Sequence, residues 1–251
     1  KRDLGLIVEP LKEYHKDEVR ELGQKLGLPL HLVNRQPFPG PGLSIRILCV
    51  SKKIDDNMDL ITRLQQFETP NVKLSLLPIK SVGIQGDART YSYVLGITCL
   101  KDTRKYDWPQ LFHLAKTIPK VIHGINRVVL IMGSPFETIN IIPTLLNKQS
   151  VSLLRSVDHC VNTIFRKHDL EKTFSQVPIV LLPVGIDSDK HSIVIRPFLT
   201  SDFMTGLPSV PNVDFSEDVL NEINDTVTQN YEISRVMYDL TGKPPATTEW
   251  E

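Results

Sequence analysis

Leu76-Leu77-Pro78-Ile79 returns later in the chain as Leu181-Leu182-Pro183-Val184, and the echo continues beyond it. Tyr93-Val94-Leu95-Gly96-Ile97 has a counterpart in Ile193-Val194-Ile195, and Ile125-Asn126-Arg127-Val128-Val129 in Ile233-Ser234-Arg235-Val236-Met237. A helical pattern precedes the last member of each set, over 111–123 and 216–229. Each copy therefore reads helix, strand, strand, helix, strand, and an internal repeat takes precedence over local propensity in deciding a fold. The expected class is α+β: two tandem lobes of helix-covered mixed or antiparallel sheet related by pseudo-twofold symmetry. A coincidence of common αβ phrases is the competing explanation for so short a repeat.

The element ends carry their own signals. Val151, Leu154, Val157, Val161 and Phe165 form the stripe of the clearest helix, with Ser150 expected as its N-cap. Asp107 and Pro109 mark the start of the helix over 111–123, and Pro119 is expected to kink or interrupt it near its end. Leu60, Ile61, Leu64 and Phe67 predict a short helix before Pro70, and Ser44 to Val50 a strand. Nearer the start, the short apolar run Gly5-Leu6-Ile7-Val8 precedes an amphipathic helix from His15 to Leu26. Asp17 and Glu18 favour its positive end, and Lys25, Gly27 and Pro29 are stop signals. Between that helix and the repeat lies Gln36-Pro37-Phe38-Pro39-Gly40-Pro41-Gly42-Leu43. Its prolines fix φ and restrain the residues before them, so it reads as a shaped connector, with Phe38 and Leu43 for packing, not as a flexible linker.

With 251 residues, 41% hydrophobic and 23% charged, the chain has material for one large core or two smaller ones. Lys+Arg 29 balances Asp+Glu 29, which argues against a phosphate-backbone footprint or attraction to an anionic membrane. Cys49, Cys99 and Cys160 are odd in number and set among apolar residues, which predicts reduced core thiols and a cytoplasmic location. No apolar run is long enough to span a membrane or to serve as a signal peptide, and the start at Lys1-Arg2-Asp3 reads as a fragment of something longer.

The familiar catalytic signatures are missing: no His-Glu-x-x-His, Cys-x-x-Cys, Walker loop or nucleophile elbow occurs, and the 7 histidines are scattered, so no metal site is expected. Two stretches carry candidate chemistry. In Val82-Gly83-Ile84-Gln85-Gly86-Asp87-Ala88-Arg89-Thr90, Gly86 permits close backbone approach, Asp87 accepts from a hydroxyl or ring N–H, and Arg89 forks onto a phosphate or carboxylate. A hairpin turn with a local Asp87/Arg89 ion pair explains the same residues. In Gly242-Lys243-Pro244-Pro245-Ala246-Thr247-Thr248-Glu249-Trp250-Glu251, a segment stiffened by two prolines offers Lys243 to phosphate and Glu249 to purine N–H groups. A disordered polar tail is the alternative.

Glu9-Pro10-Leu11-Lys12, Lys16-Asp17-Glu18-Val19-Arg20 and Gly27-Leu28-Pro29 resemble the closing strand, loop and helix of ATP pyrophosphatase domains. The connector, Gly86-Asp87-Ala88-Arg89, Asp202-Phe203-Met204-Thr205 and Lys243-Pro244-Pro245-Ala246-Thr247-Thr248-Glu249-Trp250-Glu251 occur in the same order in glutamine-hydrolysing GMP synthetases. The chain resembles the C-terminal part of that family, in its eukaryotic-type form, over essentially its whole length. One departure is visible: the family usually has His where this chain has Gln36.

The resemblance implies a division into residues 1–35, the end of an ATP pyrophosphatase domain; 36–43, the connector; 44–147, a first dimerisation-domain copy; and 148–251, a second copy with an XMP-binding tail. It implies that the intact enzyme, a ligase, uses ATP with Mg2+ and ammonia from glutamine to convert XMP to GMP. The glutaminase and ATP pyrophosphatase domains are expected upstream on the same polypeptide, with no catalytic residue and no cofactor site in this chain. Asp87, Gln176, Lys243 and Glu249, with Arg89 beside them, are assigned by similarity to XMP. A monomer or weak homodimer is expected, with no nucleic-acid or membrane partner. The competing function is a non-catalytic nucleotide-binding or oligomerisation module. A single-stranded RNA binder would need an aromatic strand motif and excess positive charge, and neither is present.

Overall fold

The computed structural model describes residues 5–33, 42–52, 54, 57–86, 88–101, 104–200 and 205–251. The chain divides into two compact units, Lys1–Phe38 and Pro39–Glu251. The connector residues 36–41 lie outside the described residues, as do Asp87 and Asp202-Phe203-Met204.

The smaller unit is built on α1 (Lys16–Lys25), followed by the single turn α2 (Leu30–Val33). The Glu18 carboxylate accepts from the His15 backbone N–H at 2.7 Å, occupying one of the donors that a helix start leaves open. Gly27, at φ +80, lets the chain turn so that Leu28 N–H donates back to the Gly23 carbonyl at 3.0 Å. Neither the apolar run Gly5-Leu6-Ile7-Val8 nor Glu9-Pro10-Leu11-Lys12, which the resemblance set at the closing strand, forms a ladder among the described residues. Leu6, Ile7 and Val8 are exposed, and a strand requires a neighbouring backbone to pair with.

The larger unit is organised by one six-stranded sheet. Its strands are β1 (Val72–Gln85), β2 (Ala88–Cys99), β3 (Ile125–Ile131), β5 (Ile179–Leu182), β7 (His191–Ile195) and β10 (Ile233–Asp239), in the order β1-β2-β3-β10-β7-β5. Helices α3 (Met58–Leu64), α4 (Trp108–Val121), α5 (Lys148–Lys167) and α6 (Glu217–Asn230) accompany it, so the α+β class holds. β4 (Ile139–Ile141) with β6 (Val184–Ile186), and β8 (Phe198–Leu199) with β9 (Leu207–Pro208), form two small antiparallel pairs.

Strand alternation sorts the apolar side chains into two cores. Val128, Leu130, Ile193 and Ile195 join the helices in the larger cluster. Their neighbours Val129, Ile131 and Val194 face a second cluster with Ile186 and Trp250. Every residue of β3 is therefore buried, as expected of a central strand covered on both faces.

The repeated Leu-Leu-Pro phrase has two different outcomes. Proline donates no ladder bond, so in the first copy β1 shifts register between Leu77 and Lys80 and then continues. In the second copy the main-sheet strand stops at Leu182, and after Pro183 the chain joins β4 as β6.

Four local expectations are corrected. Ser44–Arg46 is a 3-10 turn, with only isolated bridges Ile47↔Leu181 and Val50↔Thr144 after it, because Arg46 turns inward to pair with Asp158. α5 begins three residues earlier than its stripe implied: Asn147 is the N-cap and Ser150 its reciprocal partner, at 3.0 and 3.1 Å. α4 passes through Pro119 to Val121 without interruption, the proline falling in the last turn. The cysteines are free; Cys99 and Cys160 are half-buried against the larger core, but Cys49 is exposed and so is not the core thiol expected there. No described helix is long and apolar enough to cross a membrane.

Candidate functional site

Beyond β10 the chain turns back and runs along the outer edge of β1. Lys243 and Gly206 exchange both backbone hydrogen bonds, at 2.8 and 3.0 Å. The Ile84 N–H then donates to the Pro245 carbonyl at 2.7 Å and the Val82 N–H to the Trp250 carbonyl at 3.0 Å, with a bridge between Gly83 and Ala246. Thr247 Oγ1 donates to the Val82 carbonyl at 3.0 Å. Gly83 is required here for space, since a Cβ would stand 2.4 Å from Asn126 Cγ. That Asn126 amide is itself committed, donating to the Ser81 carbonyl at 2.8 Å and accepting from Thr90 Oγ1 at 2.9 Å. The disordered-tail alternative is thereby removed: Ala246, Thr247, Thr248 and Trp250 are buried.

What fastens this segment is a buried charge cluster. Arg127 on β3 and Asp239 on β10 are both 0% exposed and pair at 3.0 Å, and Arg196 reaches the same carboxylate at 2.9 Å. Arg127 Nη2 donates to the Thr247 carbonyl at 2.9 Å, to Thr247 Oγ1 at 3.0 Å and to the Glu249 carbonyl. Its guanidinium also lies over the Trp250 ring, 4.7 Å from the centroid. Burial, reinforced by the nearby Arg196 charge and opposed by Asp239, pulls the Arg127 guanidinium down to about 9. Two guanidiniums on one carboxylate leave the interior net positive beneath the segment that carries Lys243 and Glu249.

Lys243 lines a depression of about 590 Å3 with Ser175, Thr200 and Thr205, and its Nζ donates to Thr248 Oγ1 at 3.2 Å. Gln176 follows Ser175. Its backbone pairs with Phe198, its side chain is 2% exposed, and Oε1 has no hydrogen-bond partner among the described residues. On the other side of the prolines a cleft of about 790 Å3 brings Gln85 and Gly86 of the hairpin against Gly242, Pro244 and Pro245. The two polar elements singled out in the sequence thus meet around one Pro-Pro turn. Arg89 is exposed, opposite Ile84 in the β1–β2 ladder, and lines neither space. Glu249 is held by its backbone carbonyl and lines neither. Asp87 lies outside the described residues.

The residues that the sequence reading missed are Arg127, Arg196 and Asp239. A signal was available, because Arg127 interrupts the apolar strand Ile125 to Ile131, and a charge there must be paired or exposed.

A family model described as "GMP synthase C terminal domain" matches residues 163–250. A Dictyostelium discoideum protein named "GMP synthase [glutamine-hydrolyzing]" is 41% identical over 99% of this chain and 41% of its own length. A Caenorhabditis elegans protein named "Probable GMP synthase [glutamine-hydrolyzing]" is 41% identical over 100% of this chain and 43% of its own length. A Leptospira interrogans protein with the same name is 37% identical over 98% and 40%. The chain thus spans about two fifths of the curated relatives it matches.

Proposed function

This chain belongs to the GMP synthase family, as a piece carrying its C-terminal domain, and from that premise we propose that it holds XMP for ATP-dependent amination to GMP. In this reading ATP, with Mg2+, activates the purine C2 oxygen, and ammonia released from glutamine displaces AMP. Those steps belong to the glutaminase and ATP pyrophosphatase domains of the intact protein. The piece contributes placement, which supplies a large part of the rate when two bound substrates react.

The observation that carries the reading is the fixed position of Lys243. Its backbone is locked to Gly206, and the residue lines the depression with Ser175, Thr200 and Thr205, where a phosphate would gain a charge-assisted contact. Gln176, next to Ser175 in the chain and with a buried Oε1 that has no partner among the described residues, is included in the proposed set. Asp87, Arg89 and Glu249 complete the proposed XMP set.

Lys243→Ala removes a contact worth roughly 1.5–3 kcal/mol, so XMP affinity is expected to fall about tenfold or more. Titration of XMP into the wild-type and variant proteins measures this, and equal affinities would remove the segment from the site. An assembly module without nucleotide duty would bind XMP in neither form.

We also take residues 44–147 and 148–251 to be copies paired as two subunits would be, after the end of an ATP pyrophosphatase domain at 1–35 and the connector at 36–43. The support is the sheet itself. From either edge the pairings read antiparallel, parallel, then antiparallel at the central β3–β10 contact. α3 matches α5, and α4 matches α6, in chain order within each half. The first copy keeps the Asp87 hairpin and the second the Lys243 segment, which makes one composite site per chain. An internal pair covers the surface that a dimer would otherwise bury, so a monomer is expected to bind one XMP. Light scattering through a dilution series, with XMP binding followed in parallel, tests this; binding lost on dissociation to monomer would overturn it.

A further inference from the structure

Outside this site, a polar cleft of about 220 Å3 opens where the parallel strands β2 and β3 end side by side. Lys101 and Arg104 follow β2 in the chain, Gly133 and Ser134 follow β3, Arg235 is on β10 and Asp225 on α6. Carboxyl ends of neighbouring parallel strands are a common place for ligand crevices. Three cationic side chains face one carboxylate here, so the described lining carries excess positive charge.

The cleft has the marks of a built site. Gly133, at φ +95, is the residue that lets Arg235 lie against the chain, since a Cβ there would stand 2.5 Å from Arg235 Nη1. Arg235 Nε is buried without a hydrogen-bond partner among the described residues. Arg104 holds a left-handed backbone, φ 49, that a residue with a Cβ adopts only when its surroundings enforce it. The enforcement is visible: the Asn221 amide donates to the Arg104 carbonyl at 3.2 Å, and Asp225 pairs with its guanidinium at 2.8 Å. The exposed arginine is thereby held at the cleft mouth.

We propose that this cleft binds a phosphate group, as inorganic phosphate or as the 5′-phosphate of a nucleotide. The volume suits a tetrahedral dianion and excludes a whole nucleotide, whose base would lie outside. Arg235 and Arg104 offer planar forks of N–H donors, Lys101 a point charge and Ser134 a hydroxyl, which is the donor set that phosphate recognition uses.

Calorimetric titration of inorganic phosphate, and separately of AMP, into the Lys243→Ala protein keeps the proposed XMP site out of the reading. One equivalent of phosphate is expected to bind, weakening as salt is raised. Lys101→Gln and Arg235→Gln in that background are each expected to lower affinity about tenfold. Lys167→Gln, which alters an exposed lysine paired with Glu222 elsewhere, is expected to leave it unchanged. AMP binding tighter than phosphate identifies a nucleotide as the source, and AMP binding no tighter identifies free phosphate. Absence of saturable phosphate binding overturns the proposal, as does wild-type affinity in Lys101→Gln, whose exposed side chain is dispensable for folding.

Discussion

Asp239→Ala is expected to cost about 3–5 kcal/mol of stability, the range for removing one partner of a buried ion pair. Arg127 is 0% exposed and Arg196 1%, and both direct their guanidiniums at the one carboxylate. Without it two like charges remain close together in the interior. Asp239 Oδ1 also accepts from the Thr241 N–H at 3.0 Å, so the turn leading to Lys243 loses its support as well. Chemical denaturation followed by circular dichroism measures the cost, which is a large share of a typical domain's total stability of about 5–15 kcal/mol. Asp239→Asn, which keeps the shape without the charge, is expected to be destabilised less. A cost below about 1 kcal/mol for Asp239→Ala would mean that the two guanidiniums do not depend on this carboxylate.

Trp250→Ala carries the second large effect, about 3–5 kcal/mol for emptying the volume of a fully buried aromatic. Trp250 is 0% exposed, packs in the core on the sheet face away from the main helices, and covers the Arg127 guanidinium. The loss should be local as well as global. Val82 and Ile84 donate their N–H groups to the carbonyls of Trp250 and Pro245, so both amides are expected to exchange faster with solvent than other β1 amides when the indole is removed. Trp250→Phe keeps a ring and removes an indole N–H that has no hydrogen-bond partner among the described residues, so its cost is expected to be smaller. Unchanged protection of Val82 and Ile84 in Trp250→Ala would show that the segment is held without the indole.

The parts of this fold legible in the sequence were those governed by period and punctuation. The α5 stripe from Val151 to Phe165 is buried at Leu154, Val157, Val161 and Phe165, and Asp107 caps α4 by accepting from the Gln110 N–H. The repeated phrases fell on β1 and β5, β2 and β7, β3 and β10, because each is an apolar strand bounded by turn residues. What escaped was set by partners distant in the chain. Whether Ser44 to Val50 pairs as a strand depends on Asp158 being there to draw Arg46 inward. Ser150 reads as the cap of α5 because it directly precedes the apolar stripe, whereas its reciprocal pair with Asn147 sets the cap three residues earlier. Of the candidate site, Lys243 and Gly86 were readable from their proline and glycine surroundings. Arg127 stands in the sequence only as part of a repeat, since no local pattern tells that its guanidinium collects carbonyls from a segment more than a hundred residues on.

The contact between Thr247 and Val82 joins residues 165 apart in the chain. Closing so large a loop costs entropy that local helices and the β1–β2 hairpin do not face, so pairing of this kind comes late in folding. The sheet can assemble while residues 240–251 are still unattached. Substitutions in that segment therefore belong to the class that speeds unfolding and leaves the folding rate nearly untouched. A chain that has finished its sheet without this last segment would be compact, and a ligand held through Lys243, as proposed above, would draw the population to the attached form.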